Sequence, residues 1–87
     1  NRILIVAGKG NNGGDGLAIG RLLAKAGRQV TFFQLQGNYS EEAGKQREIL
    51  LHLGFSICDT WPDGEYDIII DALLGIGITG YGRKPVR

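Results

Sequence analysis

The chain has 87 residues and a formal charge of +1 at pH 7, which suits one small domain and argues against a nucleic-acid-binding surface. Its hydrophobic content of 43% is ordinary for a globular domain, and no apolar run approaches the ~20 residues that span a bilayer. The single cysteine, Cys58, excludes an internal disulfide and favours a reducing compartment. We therefore expect a cytoplasmic protein, or a mitochondrial one in a eukaryote, that binds neither nucleic acid nor membranes.

The first half of the chain alternates strand and helix patterns. Residues 2–7 predict a buried parallel strand, because β-branched residues and leucine continue without alternation until a glycine. Residues 14–26 predict a helix that ends at Gly27, and residues 29–35 predict a second strand. The buried face of the helix is predicted to hold Ile19, Leu22, Leu23 and Ala26.

A second helix follows, with Asn38 or Ser40 as its N-cap and Gly54 after its end. Its buried face is predicted to hold Ala43, Leu50 and Leu53. Residues 55–58 and 67–72 predict two further strands. A second glycine-rich loop then contains Gly75, Gly77, Gly80 and Gly82.

The order β-α-β-α-β-β predicts a Rossmann-like three-layer α/β fold, here partial, whose four parallel strands lie in the spatial order 3-2-1-4. Only about eight residues join the third and fourth strands, but when extended they reach roughly 27 Å and can pass beneath two strands. Strands one and four are then neighbours at the point where the chain reverses direction. Ligands bind there in open α/β sheets, so the two glycine-rich segments should face each other.

The first glycine-rich segment, residues 8–16, reads Gly-Lys-Gly-Asn-Asn-Gly-Gly-Asp-Gly. A strand, a glycine turn and a helix start predict an anion or phosphate site, because backbone N–H groups and the helix dipole face the ligand. Asn11, Asn12 and Asp15 could each serve only the turn or the helix. Their position opposite Asp71, which ends a run of three isoleucines, favours a ligand site.

Two common nucleotide motifs fit poorly. The segment satisfies G-x-G-x-x-G, but Gln34 and Gln36 stand where a dinucleotide fold has its ribose-binding acid, which disfavours an NAD dehydrogenase. No Gly-Lys-Ser or Gly-Lys-Thr closes the segment, so a P-loop is excluded.

The longer string Ala-Gly-Lys-Gly-Asn-Asn-Gly-Gly-Asp-Gly at residues 7–16, with Asp-Ala-Leu-Leu-Gly-Ile-Gly at residues 71–77, resembles the YjeF N-terminal domain family, the NAD(P)H-hydrate epimerases. The resemblance implies that residues 1–87 are a partial domain of an isomerase that interconverts the R and S forms of hydrated NADH or NADPH. An ADP- or ATP-dependent dehydratase, fused or separate, would then restore the cofactor. We expect little or no epimerase activity from these residues alone, because half the expected sheet is missing.

The same resemblance implies roles for individual residues. Asn12 and Asp71 would be ligands of a potassium ion, which suits amide and carboxylate oxygens. Asp71 is also the first choice for a catalytic acid or base, with Asp15 as the alternative, because one carboxylate cannot easily serve as ion ligand and free base. The implied substrate-binding residues are Asn11, Asn12, Gly13, Gly14, Asp15, Gly75, Ile76, Gly77, Ile78, Thr79, Gly80 and Tyr81.

Two other functions stay open. Similar domains also occur as non-catalytic scaffold modules of messenger-RNA decapping proteins, and the chain could also be a nucleotide-binding domain of another enzyme. The intact set of Asn11, Asn12, Asp15 and Asp71 favours the epimerase, because a scaffold need not keep these residues. The missing ribose-binding acid disfavours a nucleotide-binding domain of another enzyme.

Overall fold

A computed structural model gives the structure of residues 1–78. The elements in chain order are β1 (Arg2–Ala7), α1 (Asn11–Lys25), β2 (Gln29–Gln34), α2 (Glu41–His52), β3 (Ile57–Cys58), β4 (Ile68–Ala72) and β5 (Gly77–Ile78). Within residues 1–78 the strands form one sheet of order β3-β2-β1-β4-β5, in which only β5 is antiparallel to its neighbour. The predicted Rossmann-like α/β class and the order 3-2-1-4 are confirmed. The fifth strand was missed, because Gly77 and Ile78 lie in a stretch that was read as loop.

The short β3–β4 connection is compatible with parallel strands because it crosses the sheet without a helix. Trp61 in this connection packs edge-on against Phe33 of β2, with 4.9 Å between the ring centroids. Tyr66, at the end of the connection, is buried and packs against the same side of the sheet. Residues 59–67 therefore cross one face of the sheet. This explains how so short a connection can join two parallel strands.

The two faces of the sheet carry separate apolar clusters. Among residues 1–78, both helices pack on one face, and Leu17 of α1 and Leu50 of α2 join its core. That cluster of buried residues is Ile3, Ile5, Ala7, Leu17, Phe32, Leu50 and Ile70. The opposite cluster is Leu4, Val6, Phe33, Tyr66 and Ile69. Side chains alternate between faces along each strand, so each strand contributes to both clusters.

The most buried side of α1 consists of glycines and Leu17, which corrects part of the predicted face. Leu22 is 59% exposed and Ala26 is exposed. The buried residues of the helix are Gly13, Gly14, Gly16, Leu17 and Gly20. A Cβ atom at Gly16 would lie 2.5 Å from Cβ of Ala72, so the helix lies too close to the sheet for larger side chains. The prediction is confirmed for Ile19 and Leu23, which are partly buried and pack against the core cluster, and is wrong for Leu22 and Ala26, because hydrophobic periodicity ignores the glycines on the side that lies closest to the sheet.

Several element boundaries also differ from the prediction. Helix α1 begins at Asn11 and not at residue 14, because the N–H group of Gly14 already donates to the carbonyl oxygen of Gly10 at 3.2 Å. In α2, Ala43 and Leu50 are buried as expected, but Leu53 is 59% exposed because it lies at the C-cap. Of the two proposed N-caps for α2, Ser40 is the one used, since its Oγ accepts from the N–H of Ala43 at 3.1 Å.

Candidate functional site

The glycine turn between β1 and α1 is fixed by the backbone of the neighbouring segments. The N–H group of Gly8 donates to the carbonyl oxygen of Ala72 in β4 at 3.0 Å. The carbonyl oxygen of Lys9 accepts from the N–H of Ser40, just before α2, at 2.9 Å. The turn thus lies at the carboxyl edge of the sheet, where the chain topology predicts a ligand crevice.

The first turn of α1 divides the predicted binding residues into two groups. Asn11, Asn12 and Asp15 are exposed, whereas Gly13 and Gly14 are buried. The two glycines serve close packing: a Cβ atom at Gly13 would lie 2.0 Å from the carbonyl oxygen of Gly8, and one at Gly14 would lie 3.0 Å from Cα of Ala43. The glycines can therefore contribute backbone groups to a ligand, and the other three residues can contribute side chains.

The N-terminus of α1 is open to an anion. Its N-cap is Gly10, and within the described part of the chain no side chain caps this end of the helix. The first N–H groups of a helix have no partner inside the helix, and the helix dipole places partial positive charge on them. Such an end binds phosphate or carboxylate oxygens without further basic residues.

Asn12 joins the two glycine-rich segments. Its Nδ2 donates to the carbonyl oxygen of Leu74, in the loop after β4, at 3.0 Å. This bond orients the side-chain amide and leaves the carbonyl oxygen Oδ1 as an acceptor toward a ligand. The bond between residues 12 and 74 agrees with the expectation that the two segments face each other. Leu74 was not among the predicted site residues, because it takes part through its carbonyl oxygen and nothing in its side chain signals that.

Asp71 lies near the carboxyl end of β4, beside Val6 of β1 in the strand register. Its side chain alternates with Ile70 and Ala72, which face the helices, so it leaves the sheet on the opposite face. The residue is half-buried, and its Oδ1 accepts from the N–H of Leu73 at 3.1 Å. Within residues 1–78, Asp71 and residues 73–78 line a cleft of about 240 Å³.

The structure therefore brings the predicted residues to one edge of the sheet but not into one enclosed cavity. Residues 11–15 are not among the lining of the Asp71 cleft in the part of the chain that the structure describes. A ligand that meets both Asn12 and Asp71 has to lie across the ends of β1 and β4. Gly75, Ile76, Gly77 and Ile78 are exposed beside the cleft, and the predicted residues Thr79, Gly80 and Tyr81 lie outside the described residues.

A buried polar contact behind the turn was also missed. Gln34 ends β2, is fully buried, and donates from Nε2 to the carbonyl oxygen of Gly8 at 3.1 Å. Arg47 of α2 donates from Nη1 to Oε1 of the same Gln34 at 2.9 Å. The sequence signal was a polar residue that directly follows two phenylalanines in a buried strand. It was read only as the absence of a ribose-binding acid.

Comparison with known proteins identifies the group to which this chain belongs. The sequence profile described as "YjeF-related protein N-terminus" matches residues 1–87. The chain belongs to this family. No group of three or more His, Cys, Asp or Glu side chains arranged to hold a metal ion is present among residues 1–78 of this YjeF-related domain. No helix in the same range is long and apolar enough to cross a membrane.

Several relatives of this YjeF-related chain have names that state an activity. The protein named "NAD(P)H-hydrate epimerase" of Limosilactobacillus fermentum is 45% identical over 87 residues, which cover 90% of this chain and 39% of that protein. The "Bifunctional NAD(P)H-hydrate repair enzyme Nnr" of Archaeoglobus fulgidus is 41% identical over 97% of this chain and 18% of its own length. The enzyme of the same name from Escherichia coli is 38% identical over 95% of this chain and 17% of its own length. The chain thus spans about two fifths or less of these relatives.

Proposed function

We propose that the complete protein is an NAD(P)H-hydrate epimerase, which interconverts the R and S forms of hydrated NADH or NADPH, and that this chain supplies the first part of its substrate pocket. The observation that carries the proposal is the hydrogen bond from Asn12 to the carbonyl oxygen of Leu74 at 3.0 Å. It couples the two segments that resemble the epimerases, at the edge of the sheet where nucleotides bind. The names of the relatives support the same activity.

The parts of a hydrated nicotinamide nucleotide match the groups along this edge. The N–H groups at the start of α1 suit the pyrophosphate, which carries the negative charge. The exposed side chains of Asn11, Asn12 and Asp15 provide donors and acceptors for sugar and nicotinamide groups. The loop after β4 supplies the other wall with residues 75–78, and we assign Thr79, Gly80 and Tyr81 to its continuation.

A potassium ion fits the chemistry of the donors. The Nδ2 atom of Asn12 donates to the carbonyl oxygen of Leu74, so Oδ1 is the side-chain atom that can face an ion. Asp71 adds carboxylate oxygens at the neighbouring strand end, and hard cations prefer oxygen ligands of these types. When bound, the ion offsets the negative charge gathered between the carboxylate and the phosphates. Asn12 and Asp71 are therefore the ligands that we propose for potassium.

Epimerisation inverts a carbon that bears a hydroxyl group, so it needs a proton transfer or the reversible loss of that hydroxyl. A carboxylate in the pocket can give or take the proton. Asp71 is our first choice because it lines the cleft beside the loop after β4, and Asp15 is the alternative because it is exposed at the start of α1. If Asp71 binds potassium with both oxygens, the proton transfer falls to Asp15.

The repair reaction also implies a second enzyme activity. Epimerisation alone does not remove the added water, so a dehydratase has to follow it, and the family resemblance implies that this dehydratase uses ADP or ATP. Relatives named as bifunctional repair enzymes support a fused partner, and relatives named only as epimerases support a separate one. We propose cytoplasm, or mitochondria in a eukaryote, as the place where both act on reduced nicotinamide nucleotides.

The test uses the complete protein and the purified R epimer of hydrated NADPH, in KCl and in choline chloride. We expect conversion to the S epimer in KCl, and a loss of about 100-fold or more for Asp71→Asn, as removal of an acid or base produces. Asp67→Asn is the matched control, because Asp67 is exposed and accepts from the N–H of Arg2 at the opposite, amino edge of the sheet. Absence of epimerisation by the wild-type protein contradicts the proposal and favours a scaffold module.

The dependence on potassium separates the two roles of Asp71. If the residue acts only as an ion ligand, Asp71→Asn raises the KCl concentration needed for half-maximal rate, and high KCl restores kcat. If it is the acid or base, kcat stays low at saturating KCl. In the first case Asp15→Asn lowers kcat at every KCl concentration, because the proton transfer then falls to Asp15, and in the second case it does not lower kcat to the level of Asp71→Asn.

A further inference from the structure

Gln34 is a fully buried amide side chain, with an exposure of 0%, in a core that is otherwise made of hydrophobic and aromatic residues among residues 1–78. Gln34 pairs with Ala7 in the register of β1 and β2, and Ala7 is the last residue before the glycine turn. Burying an amide without hydrogen-bond partners costs free energy, so a fully buried glutamine is kept in place by the groups that it meets.

The partners of Gln34 fix the orientation of its amide. A guanidinium group can only donate, so the Nη1 atom of Arg47 at 2.9 Å requires Oε1 on its side. A carbonyl oxygen can only accept, so the Gly8 oxygen at 3.1 Å requires Nε2 on the other side. Both requirements agree. The positive charge of Arg47 polarises the amide and strengthens its N–H donor toward Gly8. Arg47 is held in turn over the ring of Tyr39, with 5.1 Å to the ring centroid.

The Gly8 carbonyl group is also in close contact with the start of α1. A Cβ atom at Gly13 would lie 2.0 Å from the Gly8 oxygen and 2.6 Å from the Gly8 carbonyl carbon. The peptide group of Gly8 is therefore enclosed between the Gln34 amide and the Cα atom of Gly13. A shift of the Gly8 carbonyl moves Gly13, and with it the N–H groups at the start of the helix.

We infer that Gln34 is a positioning residue, which holds the Gly8 carbonyl and thereby aims the N–H groups of the first turn of α1 at the substrate's phosphate groups. The inference rests on the proposed epimerase function for the identity of the ligand. The same position in a dinucleotide-binding sheet holds an acid that touches the ribose. Here the side-chain amide of Gln34 is hydrogen-bonded to Gly8 and Arg47, and it cannot reach a ribose. Gln34 thus acts on the substrate through the backbone of the turn.

The role predicts a split between KM and kcat. A phosphate that does not react is bound equally in the substrate complex and in the transition state. Misplacing the N–H groups that bind it therefore raises KM and leaves kcat unchanged. In the complete protein, with the R epimer of hydrated NADPH, we expect Gln34→Met to raise KM at least about tenfold and to change kcat by less than about threefold. Backbone amides of residues 8–13 should exchange with deuterium faster than in the wild type.

A second variant separates the turn from the anchoring of α2. Gln34→Glu keeps a partner for Arg47 but places an oxygen against the Gly8 carbonyl, where no hydrogen bond forms. Because the bond to Gly8 is the relevant one, we expect the same rise in KM as for Gln34→Met. The matched control is Gln29→Met, because Gln29 is exposed and begins β2 at the opposite, amino edge of the sheet. A wild-type KM for Gln34→Glu, or a fall in kcat at unchanged KM, overturns the inference.

The inference about Gln34 can still be tested if the wild-type protein is inactive or if the Gln34 variants do not fold. If the wild-type protein does not epimerise the substrate, the exchange of amides 8–13 decides, and equal exchange in wild type and Gln34→Met overturns the inference. If neither Gln34 variant folds, Arg47→Met takes their place, because it leaves Gln34 but removes the donor that orients its amide. That variant should raise KM about threefold with faster exchange at residues 8–13, and no change in either overturns the inference.

Discussion

Gly20 of α1 lies directly against Phe32 of β2. A Cβ atom added to the glycine would stand 2.5 Å from Cε1 of the ring and 2.8 Å from Cγ1 of Ile5. Phe32 and Ile5 are themselves buried in the core between helix and sheet, so neither has room to withdraw. The glycine therefore sets the distance between α1 and the sheet, and that distance places the start of the helix beside the glycine turn.

We predict that Gly20→Ala lowers the free energy of unfolding of the complete protein by about 1–3 kcal/mol, because an added methyl group overpacks a filled core. The measurement is urea-induced unfolding followed by circular dichroism. Gly44→Ala is the matched control in the other helix, where the nearest atom found among residues 1–78 is Cβ of Tyr39 at 4.0 Å. There alanine should raise the same free energy by about 0.5–1 kcal/mol through helix propensity. Equal shifts for the two variants would contradict the close packing of α1.

The bond from Asn12 to Leu74 predicts that the loop after β4 is held by the start of α1. Asn12→Asp replaces the donor Nδ2 with an oxygen, which cannot bond to a carbonyl group. We expect faster deuterium exchange in a peptide that covers residues 73–78, and a loss of unfolding free energy below about 1 kcal/mol because the bond is exposed. Asn38→Asp, in an exposed loop, should leave that peptide unchanged. Unaltered exchange in Asn12→Asp would show that the bond does not restrain the loop.

The N-cap of α2 has a testable share in stability. The Oγ of Ser40 accepts from the N–H of Ala43, and Ser40→Ala removes this acceptor while the backbone bond from Ser40 to Lys9 stays. We expect unfolding free energy to fall by about 1 kcal/mol, as for other serine caps. Ser40→Asp, which keeps an acceptor, should lose less than half as much, and Ser56→Ala at an exposed position should change it by less than about 0.5 kcal/mol. Thermal or urea unfolding measures all three, and equal losses for alanine and aspartate at residue 40 would exclude the cap.

The sequence was sufficient for four of the five strands described in residues 1–78 and for their order, but not for the glycine side of α1. Continuous apolar runs, such as residues 2–7, predict buried parallel strands. The rule that crossovers are right-handed then predicts a single spatial order of these strands. A glycine stripe carries no hydrophobic signal, so Leu22 was assigned to the core although it is 59% exposed. The need for glycine at Gly20 exists because Phe32 and Ile5 lie opposite, and both contacts are set by the tertiary structure.

The candidate site divides in the same way. The segments that hold Asn12 and Asp71 could be predicted to meet, because the switch point of the sheet follows from strand order. The partners of Gln34 could not be predicted, because Gly8 and Arg47 are separated from it by 26 and 13 residues. Gly8 meets it through the pairing of β1 with β2, and Arg47 meets it through the packing of α2. The face on which Asp71 leaves the sheet was also beyond reach, since it depends on the register between β4 and β1.

Gly13, in the first turn of α1, should be the least replaceable residue of the first glycine-rich segment. A Cβ atom there would lie 2.0 Å from the oxygen and 2.9 Å from the nitrogen of Gly8, which are backbone atoms and cannot rotate away. Gly13→Ala should therefore displace the Gly8 carbonyl from Gln34, so that a buried donor is left without its acceptor. Overpacking and the lost bond together predict a fall in unfolding free energy of about 2–4 kcal/mol.

The control for Gly13 is Gly10, which lies three residues earlier in the same glycine-rich segment. At Gly10 the backbone has φ of −91°, and an added Cβ atom would meet nothing within 4 Å in the structure of residues 1–78. Gly10→Ala should therefore change the unfolding free energy by less than about 1 kcal/mol, the cost of a poorer N-cap. Comparing the two variants by urea unfolding tests whether the glycines of this turn are equivalent. A similar loss at both positions would mean that the turn needs flexible backbone throughout, whereas a loss confined to Gly13 assigns the requirement to its contact with Gly8.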